Sequence, residues 1–341
     1  MLPAVVALGT PRAYECAMTL TLALAGDTML GRGVADRLRE NPHAPLLDPV
    51  LVEIARSADL FLLNLECCVS DRGTPIDEPG KPFFFRAPAL AAQRLAEIGV
   101  ACVTLANNHV LDFGPEALAD TLAHLAAAGI VTVGGGADEG AARAPVRLTA
   151  AGERLKVVAL ADDPASYAAG SDRPGIAYAD LRLGVPDWVR DACRPAVDEL
   201  VLVMVHWGPN MMPAPVPYVR AAAEAMEAAG ATLVAGHSAH VPQGVRGRVL
   251  FDLGDFLDDY RVDRRLRNDL SLLWLVTLDE CGPQRVEGLP VRLEYARTRP
   301  ADTGEARELA RLLDERCAAT GSRVELVGGR LVFTDLDDVS R

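Results

Sequence analysis

The chain has 341 residues, half of them hydrophobic, and 34 basic against 47 acidic side chains give it a formal net charge of −13. Such a chain can bury a sizeable core, which argues against disorder, and no dense Lys/Arg run supplies the electrostatic footprint of a nucleic-acid-binding surface. The 7 Cys have no CxxC spacing, so neither a zinc ribbon nor a disulfide framework is indicated, and a reducing, cytoplasmic setting is expected.

Residues 1–17 open with an apolar stretch of only about eight residues, too short to span a bilayer and without a basic residue before it. They read as a misassigned start or a disordered tail, with no membrane insertion. From residue 18 onward, short apolar runs read as buried strands at 20–25, 59–63, 100–105, 130–133, 155–161, 200–205, 231–235 and 249–253. Ala/Leu/Glu-rich helical stretches at 46–57, 87–97, 115–128 and 217–229 fall between several of them. This alternation is that of an α/β fold with a largely parallel sheet. Residues 270–341 change character to further β-like runs and one helix at 304–317, and are expected to complete the sheet of a single domain, 18–341.

Polar residues cluster where the strands end. "ALAGD" ends in Asp27, "FLLNLE" in Asn64 and Glu66, "TLANNH" in Asn107, Asn108 and His109, "LVMVHWG" contains His206, and "TLVAGHSAH" ends in His237 and His240. The carboxyl ends of parallel strands line one crevice in open α/β sheets, so these groups should converge. Each motif alone has a plainer explanation: a turn, a helix cap or a hydrogen-bonded structural His. Four of the 6 His nevertheless sit at strand ends, and only His43 and His124 do not, which favours a metal site.

Carboxylates, imidazoles and an amide oxygen form an N/O donor set without thiolate, suited to divalent Mn, Fe, Zn or Co rather than to a structural zinc. Two ions bridged by a carboxylate are a common device for hydrolysing phosphate esters. His109, next to Asn108, is placed to protonate a leaving group, with Asp112 to hold its ring.

The series "AGDTMLGR", "LLNLECCVS", "KPFFFRAP", "TLANNHVLDFG", "VHWGPN", "GHSAHVPQG" and "LFDLGDFLDDY" resembles the CapA family of capsule and poly-γ-glutamate synthesis proteins, within the calcineurin-like metallophosphoesterase superfamily. The resemblance implies a four-layer α/β/β/α sandwich with a dinuclear metal cleft. It places Asp27 on the first metal, Glu66 as the bridge, and Asn108, His206, His237 and His240 in the remaining positions, with His109 as proton donor. Around them, Asn64, Arg32, Arg86, Asn107, Asn210, Ser238 and Asp255 are the expected substrate-binding or supporting residues. The implied activity is metal-dependent hydrolysis of a phosphoester in a small-molecule or polymeric, anionic substrate. The alternatives are hydrolysis of a glutamyl amide, or an accessory role in polymer synthesis or export.

The chain departs from the family pattern at defined places. Asn210 stands where a glutamate commonly follows "HWG", Ser238 and Ala239 where "GHHPH" is usual, and Asp255 where "LGNF" carries Asn. No DxH begins at Asp27. Of the remaining stretches, "GGG" at 134–136 reads as a flexible turn rather than a phosphate cradle, "FFF" at 83–85 as core or cleft wall, Cys67 and Cys68 as small buried residues, and 255–269 as a solvated charged loop.

Overall fold

The computed structural model describes residues 19–335; the expected tail at 1–17 lies outside them. The strands that carry the site are β1 (Leu20–Thr28), β2 (Leu60–Leu65), β3 (Cys102–Thr104), β4 (Val131–Val133), β5 (Glu153–Ala161), β6 (Leu200–His206) and β7 (Leu233–His237). They fall into two sheets. β1 to β4 pair in parallel, in that order, in the first. In the second, β6 runs parallel to both β5 and β7. Antiparallel strands Leu270–Asp279, Gly282–Glu294, Arg330–Thr334 and Arg323–Val327 extend the first sheet from the free side of β1.

Side-chain alternation, the period of two that pleating imposes, builds the layers. From the second sheet, Val157, Ala159, Leu202, Met204, Leu233 and Ala235 enter the core shared with the first sheet. Their neighbours Val158, Leu160, Val201, Val203, Val205 and Val234 pack instead with the helices Asp187–Cys193 and Pro217–Ala229. Helices Pro49–Ser57, Leu90–Glu97 and Gly114–Ala127 bring Leu51, Ala55, Ala91, Leu95, Leu118 and Leu125 onto the first sheet. The result is a four-layer α/β/β/α sandwich. A strand covered on both faces needs a continuous apolar run, and "LVLVMVH" in β6 is buried throughout. No helix among the described residues is long and apolar enough to cross a membrane.

Two details of backbone position the site. Gly26 sits at a register shift between β1 and β2, and a Cβ there would lie 1.7 Å from the Gly254 carbonyl oxygen. The missing side chain lets the Asp255–Leu257 strand run beside β1, with Asp255 opposite Asp27. The run expected as a strand over 100–105 is shorter, Cys102–Thr104, because the Asn107 side chain turns the chain by accepting the His109 and Val110 amides at 3.0 and 3.1 Å. His109 therefore stands in a turn beyond the strand. Gly134, at φ +85°, is pressed against Ala106 and Ala159, where a Cβ would come within 2.7 and 2.9 Å, so "GGG" is a contact between the sheets rather than a flexible turn. The helices Arg32–Glu40 and Asp187–Cys193 had no clear counterpart in the periodicity.

Candidate metal centre

The two sheets meet at Asp27, which is almost completely buried. Its Oδ1 accepts from Asn64 Nδ2 at 2.7 Å and lies 3.3 Å from His237 Nδ1. Its Oδ2 accepts the Ser238 backbone amide at 3.1 Å and lies 3.3 Å from His240 Nδ1. Asn64 is itself held by Asn107, whose Nδ2 donates to Asn64 Oδ1 at 2.9 Å and to the Leu65 carbonyl at 2.8 Å. Asn64 and Asn107 thus orient the carboxylate from behind. On the other side, Ser238 and His240 adopt φ values of +103° and +57°, sparsely populated for residues with a Cβ. Such strain persists where surrounding structure enforces it; here the Asp27 carboxylate engages the Ser238 amide and approaches His240.

Ligand-competent atoms gather in two groups that intersect at this residue. Asp27, His240 and Asp255 form one, and Asp27, Glu66 and His206 the other, each with donor atoms within 4.8 Å of one another. The shared carboxylate is therefore Asp27, whereas Glu66, the expected bridge, belongs to one group only and has His206 Nε2 3.5 Å from its Oε1. Asp255, expected at the edge of the cleft, joins the other group directly, 2.8 Å from His240 Nδ1. The close passage of Gly254 at Gly26 brings the Asp255 strand beside β1 and so places Asp255 in its group.

Buried polar atoms almost always find a hydrogen-bond partner. Here both Glu66 carboxylate oxygens, His206 Nε2, both ring nitrogens of His237, Asn108 Oδ1 and Asp255 Oδ2 are buried without one among the described residues. Burying so many donors and acceptors without a protein partner is costly, and divalent cations at the two groups would satisfy Glu66, His206 and Asp255, whereas His237 belongs to neither group. The donor chemistry agrees: carboxylate, imidazole and amide oxygen, with burial holding the neighbouring Cys67 thiol well above its usual range and so protonated. The residues present fit a metal.

Protonation tells the same story. Burial pushes Glu66 up to about 8, with the charge of Asp27 adding to it. Burial also works against the charge of Asp27, but the adjacent His237 and His240 outweigh it and hold this carboxylate below its usual range. His206 and His237 are lowered by burial and so favour the neutral, ligand-competent form. His240 is raised: burial opposes the shift, and the charges of Glu66 and Asp27 overcome it.

A second constellation adjoins the first. His109 Nδ1 lies 2.7 Å from Asp112 Oδ2, and Asp112, fully buried, also accepts the Phe85 amide at 2.6 Å and the Tyr167 hydroxyl at 3.0 Å. Lys81 Nζ stands 3.0 Å from the other carboxylate oxygen and donates to the Asn108 carbonyl. Phe85 packs on the His109 ring, with centroids 4.0 Å apart. Burial lowers His109 to about 4, against the pull of Asp112, so near neutral pH the ring is neutral. Its Nδ1–H then points to Asp112, leaving Nε2 as the nitrogen without a protein partner among the described residues.

A family model described as bacterial capsule synthesis protein PGA_cap matches residues 21–260. The chain belongs to that family. A "Probable polyglutamine synthesis accessory protein" of Mycobacterium tuberculosis is 31% identical, over 89% of this chain and 93% of the relative. The "PGA biosynthesis protein CapA" of Bacillus subtilis is 25% identical, over 93% and 83%. Among solved structures, a 5'-nucleotidase precursor from Thermus thermophilus aligns at 18% identity with a TM-score of 0.40, covering 86% of this chain and 58% of that one.

In this member of the family, the remaining expected residues separate. Asn108, His206, Asn210 and Ser238 line one groove of about 390 Å³ beside the metal-competent groups. Arg32 stacks near Phe83, Phe85 and Tyr260 and pairs with Asp259 at 3.1 Å. The Arg86 guanidinium donates through Nη1 to the Arg72 and Gly73 carbonyls and lies over the Phe113 ring. Sequence reasoning overlooked Asp162, which follows β5 much as Glu66 follows β2. Its Oδ2 accepts from Tyr218 at 2.8 Å and from the Gly208 amide at 3.2 Å in the same groove. Lys81, which opens "KPFFFRAP", was given no role and Tyr167 was overlooked, because both act on Asp112 across long stretches of chain.

Proposed function

We propose that this chain is a metal-dependent phosphoester hydrolase acting in the synthesis of a capsule or polyglutamate-type polymer. The observation that carries this reading is the set of buried, unpartnered N and O atoms around Asp27. Asp27, Glu66, Asn108, His206, His237, His240 and Asp255 would hold the metal, two ions of Mn, Fe, Zn or Co. When bound, such ions supply an activated water and neutralise charge on the substrate oxygens. The groove beside His206 takes the substrate, where Asn210 presents a neutral amide in place of the family's usual carboxylate and so repels an anion less.

His109 handles the proton. Its resting ring is neutral, with Asp112 fixing the tautomer, and an anionic ester close to Nε2 favours the charged imidazolium. That proton is then available to the leaving oxygen. Asp112, Phe85 and the Lys81 ammonium keep the ring in place and limit its access to water.

The test is metal analysis of the purified chain followed by turnover assays with Mn, Fe, Co and Zn on alkyl and aryl phosphoesters and on a γ-glutamyl amide. Phosphoester turnover supports the proposal. Turnover of the amide alone transfers the same machinery to acyl chemistry. Bound metal without turnover of any of them favours a second reading, an accessory protein with a structural ion, to which the relatives' names point.

A further inference from the structure

A cavity of about 960 Å³ lies against the Arg261–Asp269 segment, with Arg261, Arg264, Arg267 and Arg292 among its lining residues. In a chain of net charge −13, four guanidiniums around one cavity need an explanation. Two of them are neutralised internally. Arg267 pairs with Asp269 and Glu308, and Arg292 with Asp269, whose side chain is only 2% exposed. The lining carboxylate of Asp263 is engaged as well, accepting the Arg265 and Leu266 amides at 2.8 and 2.9 Å. Arg261 and Arg264 remain: both are exposed, and neither guanidinium has a hydrogen bond or ion pair among the described residues.

The cavity adjoins the metal-competent loop. Tyr260, directly before Arg261, meets the His240 ring edge-on at 5.5 Å. Met211, also in the lining, donates its amide to the Ala239 carbonyl at 2.9 Å. A ligand resting on Arg261 and Arg264 is therefore one loop away from His240.

We infer that this cavity is an anion-binding subsite for an extended chain bearing repeated carboxylates, gripped by Arg261 and Arg264 while another part of the chain reaches the metal centre. Guanidinium forks match carboxylate and phosphate oxygens alike. The lining favours carboxylates, because Asp263 stands between the two free arginines in sequence and the cavity carries little surplus positive charge. Singly charged groups spaced along a chain tolerate that arrangement better than a compact polyphosphate does. The inference rests on the anionic-polymer part of the functional reading, but not on catalysis.

The experiment measures binding of a fluorescent γ-linked hexaglutamate to the full chain by anisotropy, with and without chelator, with tripolyphosphate as a second probe. Arg261→Ser/Arg264→Ser should weaken hexaglutamate binding about tenfold or more, the loss expected from removing charge-assisted hydrogen bonds, and should flatten its salt dependence. Arg265→Ser/Arg307→Ser removes the same number of charges from exposed positions without touching the cavity lining, and should stay within about twofold. Equal losses in both variants would reduce the effect to diffuse charge and overturn the subsite, as would no loss in the double variant. Tighter binding of tripolyphosphate than of hexaglutamate, sensitive to the same two arginines, would overturn the carboxylate assignment. Loss of all hexaglutamate binding on chelation would place the anion on the metal centre and overturn the inference while leaving the hydrolase reading intact. Arginine-dependent binding without turnover of any ester would do the reverse.

Discussion

Asp112→Asn removes one charge from the His109 side of the cleft and preserves the side chain's shape. The two Asp112 oxygens receive the Phe85 amide, the Tyr167 hydroxyl and His109 Nδ1, with the Lys81 ammonium 3.0 Å away. The Lys81 side chain is 9% exposed and the Asp112 side chain 0%. An asparagine offers one oxygen to these donors and turns an NH₂ group toward some of them, leaving the ammonium buried without a counter-charge. Breaking a buried ion pair from one side costs about 3–5 kcal/mol, and the residual exposure of Lys81 puts the expected loss near the lower end, about 3 kcal/mol. That is a large share of a typical folding stability of roughly 5–15 kcal/mol. Lys81→Met in the Asp112→Asn background should recover part of it, because the orphaned charge is gone, giving a coupling of about 1 kcal/mol or more. Urea unfolding of the four proteins, metal-loaded, measures the cycle. A single-variant loss below about 1 kcal/mol, or additivity within about 0.5 kcal/mol, would refute the argument that Lys81 and Asp112 form a buried pair supporting His109.

Three further outcomes are expected. His109→Ala should leave metal content unchanged yet slow hydrolysis of an alkyl phosphodiester by roughly 10²–10⁴, the usual share of general acid catalysis, and slow an aryl ester less; equal losses on both would show that the ring positions substrate and does not donate a proton. Asp27→Ala should deplete metal more than Glu66→Ala, because only Asp27 belongs to both ligand groups, whereas His43→Ala and His124→Ala should leave it unchanged; elemental analysis decides, and a greater loss in Glu66→Ala would return the bridging role to that residue. Metal affinity, followed by chelator competition, should rise with pH up to about 8, where burial holds Glu66, since the proton and the ion compete for one carboxylate. The sign reverses for the metal-free chain: a folded-state value above the ordinary 4.5 stabilises below that pH, and the benefit is lost as pH rises through about 8. Unfolding midpoints without metal that rise between about pH 6.5 and pH 8, above the range in which the lowered His109, His206 and His237 contribute the opposite slope, would contradict this.

Much of the site was legible because strands display their ends in order. A buried parallel strand requires an apolar run, so the residue where that run stops is conspicuous, and Asp27, Glu66, His206 and His237 were marked in this way. The N/O character of the donor set also followed from residue types alone. His109 and Asp112 could be paired because they stand three residues apart in a single turn, a distance that local geometry controls.

Tertiary structure decided what depends on the approach of distant backbones. Asp27, rather than Glu66, is the carboxylate common to both groups, and the close passage of Gly254 at Gly26, which brings the Asp255 strand to it, has no periodic signature. Lys81 and Tyr167 reach Asp112 from 31 residues before it and 55 after it, and Arg86 spends one guanidinium nitrogen on the Arg72 and Gly73 carbonyls. Sequence determined which groups stand at the ends of strands, since burial and pleating act residue by residue; only the packing of one sheet on the other decided which of those groups come within reach of one another, because that depends on distances between segments far apart along the chain.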